Sequence, residues 1–383
     1  MTMNSMNKNL LLKLESFGQS VWLDSLSRYA ITSGQLKRLI DEDGLSGVTS
    51  NPSIFEKAIV GSRDYDEDIR ALALKGKAAD EIYQALTVRD IQMATDLFRP
   101  LYDRLDGKDG FVSLEVSPHL ANDTDGTIAE ARRFWAAVNR PNAFIKVPAT
   151  REGLPAITQL ISEGINVNIT LLFGLPRYRG VAEAYLAGLE ARMAQGKPVK
   201  NVASVASFFL SRIDVLVDPM LEKIKGEKAE LAAKLHGQIA VASAKVAAKI
   251  YEEIFSSERF KRLASSGART QRLLWASTST KNPNFPDLKY VEPLIGPDTI
   301  NTVPLETLYA YRDHGQPEIR LPDGLAEAQT TLNRLADVGI DLEVVTQQLE
   351  NEGIEKFNKP YDFLIAALEK ARGRALARCP SGS

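Results

Sequence analysis

The sequence is poor in the residues that build disulfide frameworks and metal sites. Among 383 residues there is one cysteine, Cys379, and there are three histidines, at positions 119, 236 and 314. A single cysteine excludes a disulfide within the chain and a zinc site made of several thiolates. No H-E-x-x-H pair occurs, so a histidine-based metal site is not expected either. We therefore expect neither a metal nor a cofactor.

Signatures of nucleotide, nucleic-acid and membrane binding are also missing. Neither G-x-G-x-x-G nor G-x-x-x-x-G-K-[ST] occurs, which excludes the usual dinucleotide and P-loop fingerprints. Lys+Arg 47 against Asp+Glu 49 leaves a formal charge of -2, and no basic run favours nucleic acid or an anionic membrane. The N-terminal apolar run is too short for a signal peptide. We expect a soluble, cytoplasmic protein.

Short apolar segments alternate with helix-patterned stretches along almost the whole chain. Eight segments are predicted to be strands because they are rich in Val, Ile and Leu and bounded by Gly, Pro, Asn or Ser. They are 21–26, 46–50, 111–116, 143–147, 167–172, 202–209, 273–277 and 299–303. The alternation indicates a parallel sheet with crossover helices, and eight units fit a (β/α)8 TIM barrel. A doubly wound open sheet is the alternative.

The chain is longer than a minimal barrel, and the surplus can be located. Helix-patterned stretches of about 60 residues separate the second strand from the third and the sixth from the seventh, and more helices follow the eighth. We predict one domain, residues 1–374, with helical insertions and a helical C-terminal extension. Residues 375–383 are predicted to form a disordered tail.

One part of the second insertion has two interpretations. Segment 221–262 is rich in Lys/Glu pairs, which suits a solvated outer helix of the barrel. It could also contact a second copy in a homodimer. A mass in solution corresponding to one chain only would remove the second interpretation.

One apolar strand carries a lysine in its middle. In NAFIKVPAT, Lys146 shares a face with Phe144 and Pro148, and parallel strands are usually covered on both faces. Lysine is rarely buried without a partner or a function. Desolvation favours the neutral amine, so a buried lysine can form a Schiff base with a ketone or an aldehyde without a metal. The alternative is a lysine near the strand end that reaches water.

Other strands add polar residues at comparable positions. Asp24 and Glu115 each follow an apolar run, and either carboxylate could act as general acid or base. A salt bridge or a helix cap would explain each of them as well. In INVNITLLF, Asn168 and Thr170 alternate with aliphatic residues, which gives that strand one polar face. Asn51 in GVTSNPSIF precedes a proline, and turn chemistry alone could explain it.

Later strands carry residues that are typical of anion binding. VASFFLSRID contains Ser207 and Arg212, and WASTSTKNP contains Ser277, Ser279 and Lys281. Hydroxyls with an arginine or a lysine after strand ends suit a phosphate, and late barrel loops often bind one. Arg212 could instead pair with Asp214 or with another acid at the surface.

These polar residues fall where successive strands would meet the C-terminal face of a barrel, which predicts an active site. At these residues the chain resembles the transaldolases. GVTSNPSIF is similar to the first signature of that family, and FIKVPAT is similar to the second, which carries the Schiff-base lysine. The resemblance runs in order from about residue 17 to residue 304. It is strongest to the longer transaldolase subfamily, which also occurs fused to glucose-6-phosphate isomerase.

The resemblance implies a role for each position. Lys146 would form the Schiff base with a ketose phosphate, and Asp24 would take a proton from its C4 hydroxyl as the C3–C4 bond breaks. Glu115 and Thr170 would hold a catalytic water. The other implied contacts are Asn51 and Asn168 to the dihydroxyacetone unit, Thr49 and Ser207 in the same pocket, and Arg212, Ser277, Ser279 and Lys281 at the phosphate.

The implied reaction moves a dihydroxyacetone unit from sedoheptulose 7-phosphate to glyceraldehyde 3-phosphate, giving erythrose 4-phosphate and fructose 6-phosphate. This is a step of the non-oxidative pentose phosphate pathway, and the implied partners are sugar phosphates. The sequence departs from shorter members of the family after the seventh strand, where Lys281 stands in for an arginine. A lysine binds phosphate as a point charge rather than as a bidentate fork.

Two other functions remain open from the sequence. A fructose-6-phosphate aldolase-like lyase would release free dihydroxyacetone, and that relative has a tyrosine where this chain has Phe209. A non-catalytic barrel would only bind a sugar phosphate. The presence of Lys146 among apolar residues argues against this second alternative.

Overall fold

The computed structural model describes residues 9–377, in which eight parallel strands close into a barrel in sequence order. The strands are β1 (Gln19–Leu23), β2 (Gly47–Val48), β3 (Phe111–Glu115), β4 (Ala143–Pro148), β5 (Val167–Leu172), β6 (Ser204–Phe209), β7 (Arg272–Ala276) and β8 (Thr299–Val303). The TIM-barrel prediction is confirmed. The open doubly wound sheet is excluded because β1 pairs with β8 along its whole length.

Helices connect the strands and extend the chain beyond the barrel. They are α1 (Leu10–Ser16), α2 (Arg28–Thr32), α3 (Gln35–Asp43), α4 (Pro52–Val60), α5 (Asp66–Leu74), α6 (Ala79–Arg104), α7 (Thr124–Val138), α8 (Gly153–Glu163), α9 (Leu175–Ala194), α10 (Ser211–Glu222), α11 (Ala229–Leu235), α12 (Ile239–Phe255), α13 (Glu258–Ser265), α14 (Leu305–His314), α15 (Leu325–Asp337) and α16 (Leu342–Ala377). The predicted insertions correspond to α4–α6 and α10–α13. None of the helices in residues 9–377 has the length and apolar character needed to cross a membrane.

Most predicted boundaries differ from the structure by one to three residues; β1, for example, is predicted at 21–26 and spans Gln19–Leu23. β2 has only two of the five predicted residues. The backbone N–H groups of Ser46 and Thr49 still donate to Val21 and Leu23 of β1. Beyond the strand, the Thr49 hydroxyl donates to Asp24 and the Ser50 hydroxyl to the carbonyl of Ser113. At the other end, α16 includes residues 375–377 of the predicted tail. Residues 378–383, with Cys379, lie outside the described residues.

An aromatic layer fills the barrel below its C-terminal end. Phe111 and Phe144 stack with ring centroids 4.3 Å apart, and Trp22 lies 6.2 Å from Phe144. The indole occupies the space beside Gly47, where a Cβ would lie 2.4 Å from its ring atoms. Because alternate residues of a strand share a face, Lys146 lies on the inner face one step above Phe144. The apolar layer thus supports a polar layer nearer the C-terminal ends.

The long C-terminal helix α16 crosses the C-terminal face of the barrel. It packs against α4, α5, α6 and α10 and against the end of β5. Tyr361 meets Tyr83 of α6 edge to face, with ring centroids 5.3 Å apart. Phe357 is buried, with 3% of its surface exposed. This helix therefore forms part of the wall around the mouth of the barrel.

Candidate active site

A cavity of about 290 Å³ opens at the C-terminal face of the barrel. Ten of the twelve predicted site residues line it: Asp24, Thr49, Asn51, Lys146, Thr170, Ser207, Arg212, Ser277, Ser279 and Lys281. The other two, Glu115 and Asn168, lie behind the lining and contact it through Lys146 and Ser207. The structure thus brings all twelve positions into one region.

Lys146 lies at the floor of this cavity and does not reach bulk water. Its side chain is only 5% exposed. Nζ lies 3.0 Å from Oε2 of Glu115, its register partner on β3, and donates to the carbonyl of Ser50 at 2.8 Å. Burial raises the pKa of Glu115 above its usual value, and the charge of Lys146 opposes that increase. The salt-bridge alternative for Glu115 therefore holds, but its partner is the lysine of the site itself.

Asp24 directly follows β1 and faces the same cavity. The Thr49 hydroxyl donates to Oδ1 of Asp24 at 2.7 Å and lies 2.8 Å from the hydroxyl of Thr302. Oδ2 of Asp24 has no hydrogen-bond partner among residues 9–377, so one carboxylate oxygen remains free to contact a substrate. Burial raises the pKa of Asp24, while Lys146 and then the Thr49 hydrogen bond act in the opposite direction.

The polar face of β5 is part of a hydrogen-bonded chain across the barrel. Asn168 donates through Nδ2 to Oγ of Ser113 at 3.0 Å and accepts at Oδ1 from the Ser207 hydroxyl at 2.7 Å. These bonds fix the orientation of the Asn168 amide beside its register partner Lys146. The Thr170 hydroxyl is buried and has no hydrogen-bond partner in the described part of the chain.

Asn51 has the structural role that was the alternative to substrate binding, since it caps a helix. Its Oδ1 accepts the backbone N–H of Ile54 at 3.0 Å and so caps the N-terminus of α4. Asn51 lines the cavity, and its amide nitrogen has no hydrogen bond to any residue from 9 to 377. Capping therefore leaves its donor group available.

The first turn of α10 is tied to the segment that follows β7. Ser277 has φ 55°, in the left-handed region that is unfavourable for a residue other than glycine. Its carbonyl accepts the Ser211 N–H at 3.1 Å, and the two hydroxyls lie 3.0 Å apart. Lys281 is exposed and donates to the Ser279 hydroxyl. The two segments therefore present Arg212 and Lys281 to the same cavity.

Asp214 links α10 to its surroundings instead of pairing with Arg212. Oδ1 accepts the N–H of Ala240 at 2.8 Å, and Oδ2 accepts the hydroxyl of Tyr290 at 2.9 Å. Burial raises the pKa of Asp214 from 3.8 to about 6. Tyr290 belongs to the connection between β7 and β8, so this carboxyl joins both elements that carry the predicted phosphate ligands.

The raised pKa of Asp214 predicts a specific pH dependence of stability. Between pH 3.8 and about 6 the folded state binds more protons at this carboxyl than the unfolded state, so the free energy of unfolding falls as the pH rises. Asp214→Asn removes this titration. From pH 4 to 7, wild type is expected to lose about 2 kcal/mol more than the variant. Urea unfolding at several pH values measures this, with the exposed Asp337→Asn as control; parallel profiles of wild type and Asp214→Asn would contradict it.

Some residues of the cavity were missed in the sequence. Thr302 is a polar residue inside the apolar strand β8, the same signal that identified Thr170, and it could have been found. Lys57 lies one turn after Ser53 on α4, and both line the cavity. Phe357 could not have been predicted, because it comes from α16 and no local pattern pairs that helix with the barrel mouth.

Comparisons with known proteins agree with one another. The sequence profile of the family described as Transaldolase/Fructose-6-phosphate aldolase matches residues 21–368. A protein named Transaldolase from Trichodesmium erythraeum is 49% identical over 370 residues, covering 94% of this chain and 97% of the relative. Another Transaldolase, from Acidothermus cellulolyticus, is 49% identical over 366 residues, covering 95% and 97%. A third, from Saccharopolyspora erythraea, is 47% identical over 363 residues, covering 94% and 97%.

Proposed function

Because the chain belongs to the transaldolase/fructose-6-phosphate aldolase family, we propose that it is a transaldolase that works through a Schiff base on Lys146. It transfers a dihydroxyacetone unit from sedoheptulose 7-phosphate to glyceraldehyde 3-phosphate. The observation that carries the proposal is a lysine amine at the floor of a cavity, 3.0 Å from a buried glutamate. Asp24, which has one carboxylate oxygen free of hydrogen bonds to residues 9–377, lines the same cavity.

The first step forms the imine. The Lys146 amine attacks the ketone carbon of the donor, and the resulting carbinolamine loses its hydroxyl as water. Glu115, whose raised pKa favours holding a proton, delivers that proton through a water that the Thr170 hydroxyl also binds. The partnerless Thr170 hydroxyl and the contact between Glu115 and Lys146 support this assignment.

The second step breaks the C3–C4 bond. Ionised Asp24 takes the proton of the C4 hydroxyl, the bonding electrons move into the protonated imine, and the aldose leaves. The enamine that remains on Lys146 then attacks the aldehyde carbon of the acceptor, and Asp24 returns the proton to the new hydroxyl. Hydrolysis of the imine releases the ketose and restores the amine.

The remaining cavity residues divide between the two ends of the substrate. Asn51, Asn168, Thr49 and Ser207 hold the hydroxyls of the dihydroxyacetone unit; the fixed Asn168 amide supports this role. At the other end, the residues that hold the phosphate are Arg212, Ser277, Ser279 and Lys281. The contact between the hydroxyls of Ser211 and Ser277 joins the two segments that carry these residues, which supports their binding to one phosphate.

The lyase alternative differs in the fate of the enamine. Phe209 lies at the cavity, 5.2 Å from Phe173 between ring centroids, and it has no hydroxyl that could donate a proton to the enamine. We therefore propose that the three-carbon unit is retained until an aldehyde accepts it. Release of free dihydroxyacetone from fructose 6-phosphate at a rate equal to transfer would favour the lyase instead.

Borohydride reduction in the presence of fructose 6-phosphate tests the proposal directly. We expect a reduced three-carbon adduct on the peptide that contains Lys146, found by peptide mass spectrometry, and no adduct on other lysines. Addition of erythrose 4-phosphate before the borohydride should decrease the adduct, because the acceptor removes the unit. A folded protein that forms no adduct at saturating substrate would support the non-catalytic barrel.

The single domain of residues 1–374, the cytoplasmic location and the contact of segment 221–262 with a second copy stay predictions. In the structure this segment includes α11 and α12, and Lys245 of α12 donates to the carbonyls of Arg320 and Asp323 within the same chain.

A further inference from the structure

The guanidinium of Arg212 has no polar partner within the described residues. It forms no ion pair and no side-chain hydrogen bond with residues 9–377, and its Nη1 is buried. A buried arginine donor without a partner is costly unless another group satisfies it. Because Arg212 also lines the cavity, its free donors are available to an anion there.

Two aromatic rings hold this guanidinium. Its Cζ lies 5.5 Å from the ring centroid of Phe209 and 5.8 Å from that of Phe357, over the face of each ring. Phe209 comes from β6, two residues before the helix that carries Arg212. Phe357 comes from α16, which crosses the mouth of the barrel, so the second ring is supplied by a remote part of the chain.

The helix reaches Arg212 because one turn before Phe357 it has a glycine. A Cβ at Gly353 would lie 2.9 Å from Cδ2 of Leu171 and 3.8 Å from Nη1 of Arg212. The absence of a side chain at this position lets α16 pack directly on the end of β5 and beside the guanidinium. Elsewhere on α16, Glu350 pairs with Arg177 at 3.2 Å, which fixes the helix against α9.

The α16 carboxylate whose charge acts on Arg212, Glu352, is engaged elsewhere. Glu352 accepts hydrogen bonds from Gln348 at 2.8 Å and from Lys356 at 2.9 Å, both on its own helix. A carboxylate paired with Arg212 would compete with a substrate phosphate for the same donors. An aromatic ring attracts the cation without accepting its in-plane hydrogen bonds.

We propose that Phe357 is a positioning residue for the substrate phosphate: its ring holds the Arg212 guanidinium at the cavity and leaves the N–H donors free for the phosphate oxygens. The proposal rests on the proposed function in taking a sugar phosphate as the substrate. It assigns α16 a part in phosphate affinity, separate from the imine chemistry at Lys146.

Phe357→Leu tests this role because leucine keeps an apolar side chain but removes the ring. We expect the dissociation constant of inorganic phosphate, measured by calorimetric titration, and the KM for fructose 6-phosphate to rise about five- to tenfold, with kcat within about twofold. Borohydride trapping of unphosphorylated dihydroxyacetone on Lys146 should be unchanged. Leu364→Val, a buried change on the same helix and outside the cavity lining, should leave the phosphate dissociation constant, KM, kcat and the trapping of dihydroxyacetone unaltered.

A double-mutant cycle separates positioning from a general effect on the cavity wall. In an Arg212→Ala background, Phe357→Leu should cause no further loss of phosphate affinity, because the ring acts through the arginine. An equal loss in both backgrounds, or weaker dihydroxyacetone trapping, would overturn the proposal, as would a wild-type protein that binds no phosphate. The phosphate titration needs no turnover, so it still decides the role of Phe357 if the transaldolase assay fails.

Discussion

Replacement of Lys146 by methionine is expected to abolish turnover, with kcat/KM lower by at least about 10⁴-fold. The reason is chemical: neither a methionine nor an arginine side chain can form an imine. Among residues 9–377, Lys146 is the one buried lysine. The measurements are the rate of fructose 6-phosphate formation from sedoheptulose 7-phosphate and the borohydride-trapped adduct. Both should be lost in Lys146→Met and in Lys146→Arg.

The two variants need a control for folding, since each disturbs a buried ion pair. Removal of the lysine leaves Glu115 without its cation, but burial already raises the pKa of Glu115, so the carboxyl can become neutral. Lys146→Arg keeps a positive charge. Lys249→Met changes an exposed lysine of α12 and should keep full activity. A folded Lys146→Arg protein with more than about one percent of wild-type kcat/KM would contradict the Schiff-base assignment.

The size of the expected loss also separates Lys146 from the other cations of the cavity. Arg212 and Lys281 are proposed to bind the phosphate, so their removal should weaken binding in the ground state and the transition state together and appear mainly in KM. Loss of Lys146 removes the covalent intermediate itself. If the variants divide in this way between kcat and KM, Lys146 acts in the covalent chemistry, and Arg212 and Lys281 act in phosphate binding.

Much of the fold and the site could be predicted because parallel barrels have a simple periodicity. Alternation within β4 and β5 identifies Lys146, Asn168 and Thr170 as sharing the inner face, and the register pairs Lys146 with Asn168 as neighbours. Eight strands with helical crossovers favour a closed barrel over an open sheet, and the pairing of β1 with β8 decides between the two. The alternation and the crossovers depend on local pattern, which a sequence carries directly.

The contributions of distant segments could not be predicted in the same way. Phe357 and Gly353 reach the site only because α16 folds back over the barrel mouth, and no local pattern specifies that path. β2 is shorter than the predicted segment 46–50, and beyond its end the side chains of Thr49 and Ser50 bond to Asp24 and to the carbonyl of Ser113. Both differences arise from tertiary contacts that compete with local propensity.

Asp24→Asn should stop the reaction after the imine has formed. Asparagine can still accept the Thr49 hydrogen bond but cannot take the proton of the C4 hydroxyl, so kcat should fall by about 10²- to 10⁴-fold. Imine formation does not need this base. Borohydride reduction with fructose 6-phosphate should therefore leave a six-carbon phosphorylated adduct on Lys146, where wild type yields the three-carbon adduct.

The pH profile gives a second test of the same assignment. The base must be ionised, so activity is lost as the pH falls through the pKa of Asp24, which burial raises above that of an ordinary aspartate. In wild type, the decrease of kcat/KM at acidic pH should therefore begin at a higher pH than the pKa of an ordinary aspartate would give. The residual activity of Asp24→Asn should lack this decrease. The exposed Asp125→Asn serves as control. A three-carbon adduct formed by Asp24→Asn at the wild-type rate would mean that another group breaks the C3–C4 bond, with Glu115 the nearest remaining carboxyl to Lys146.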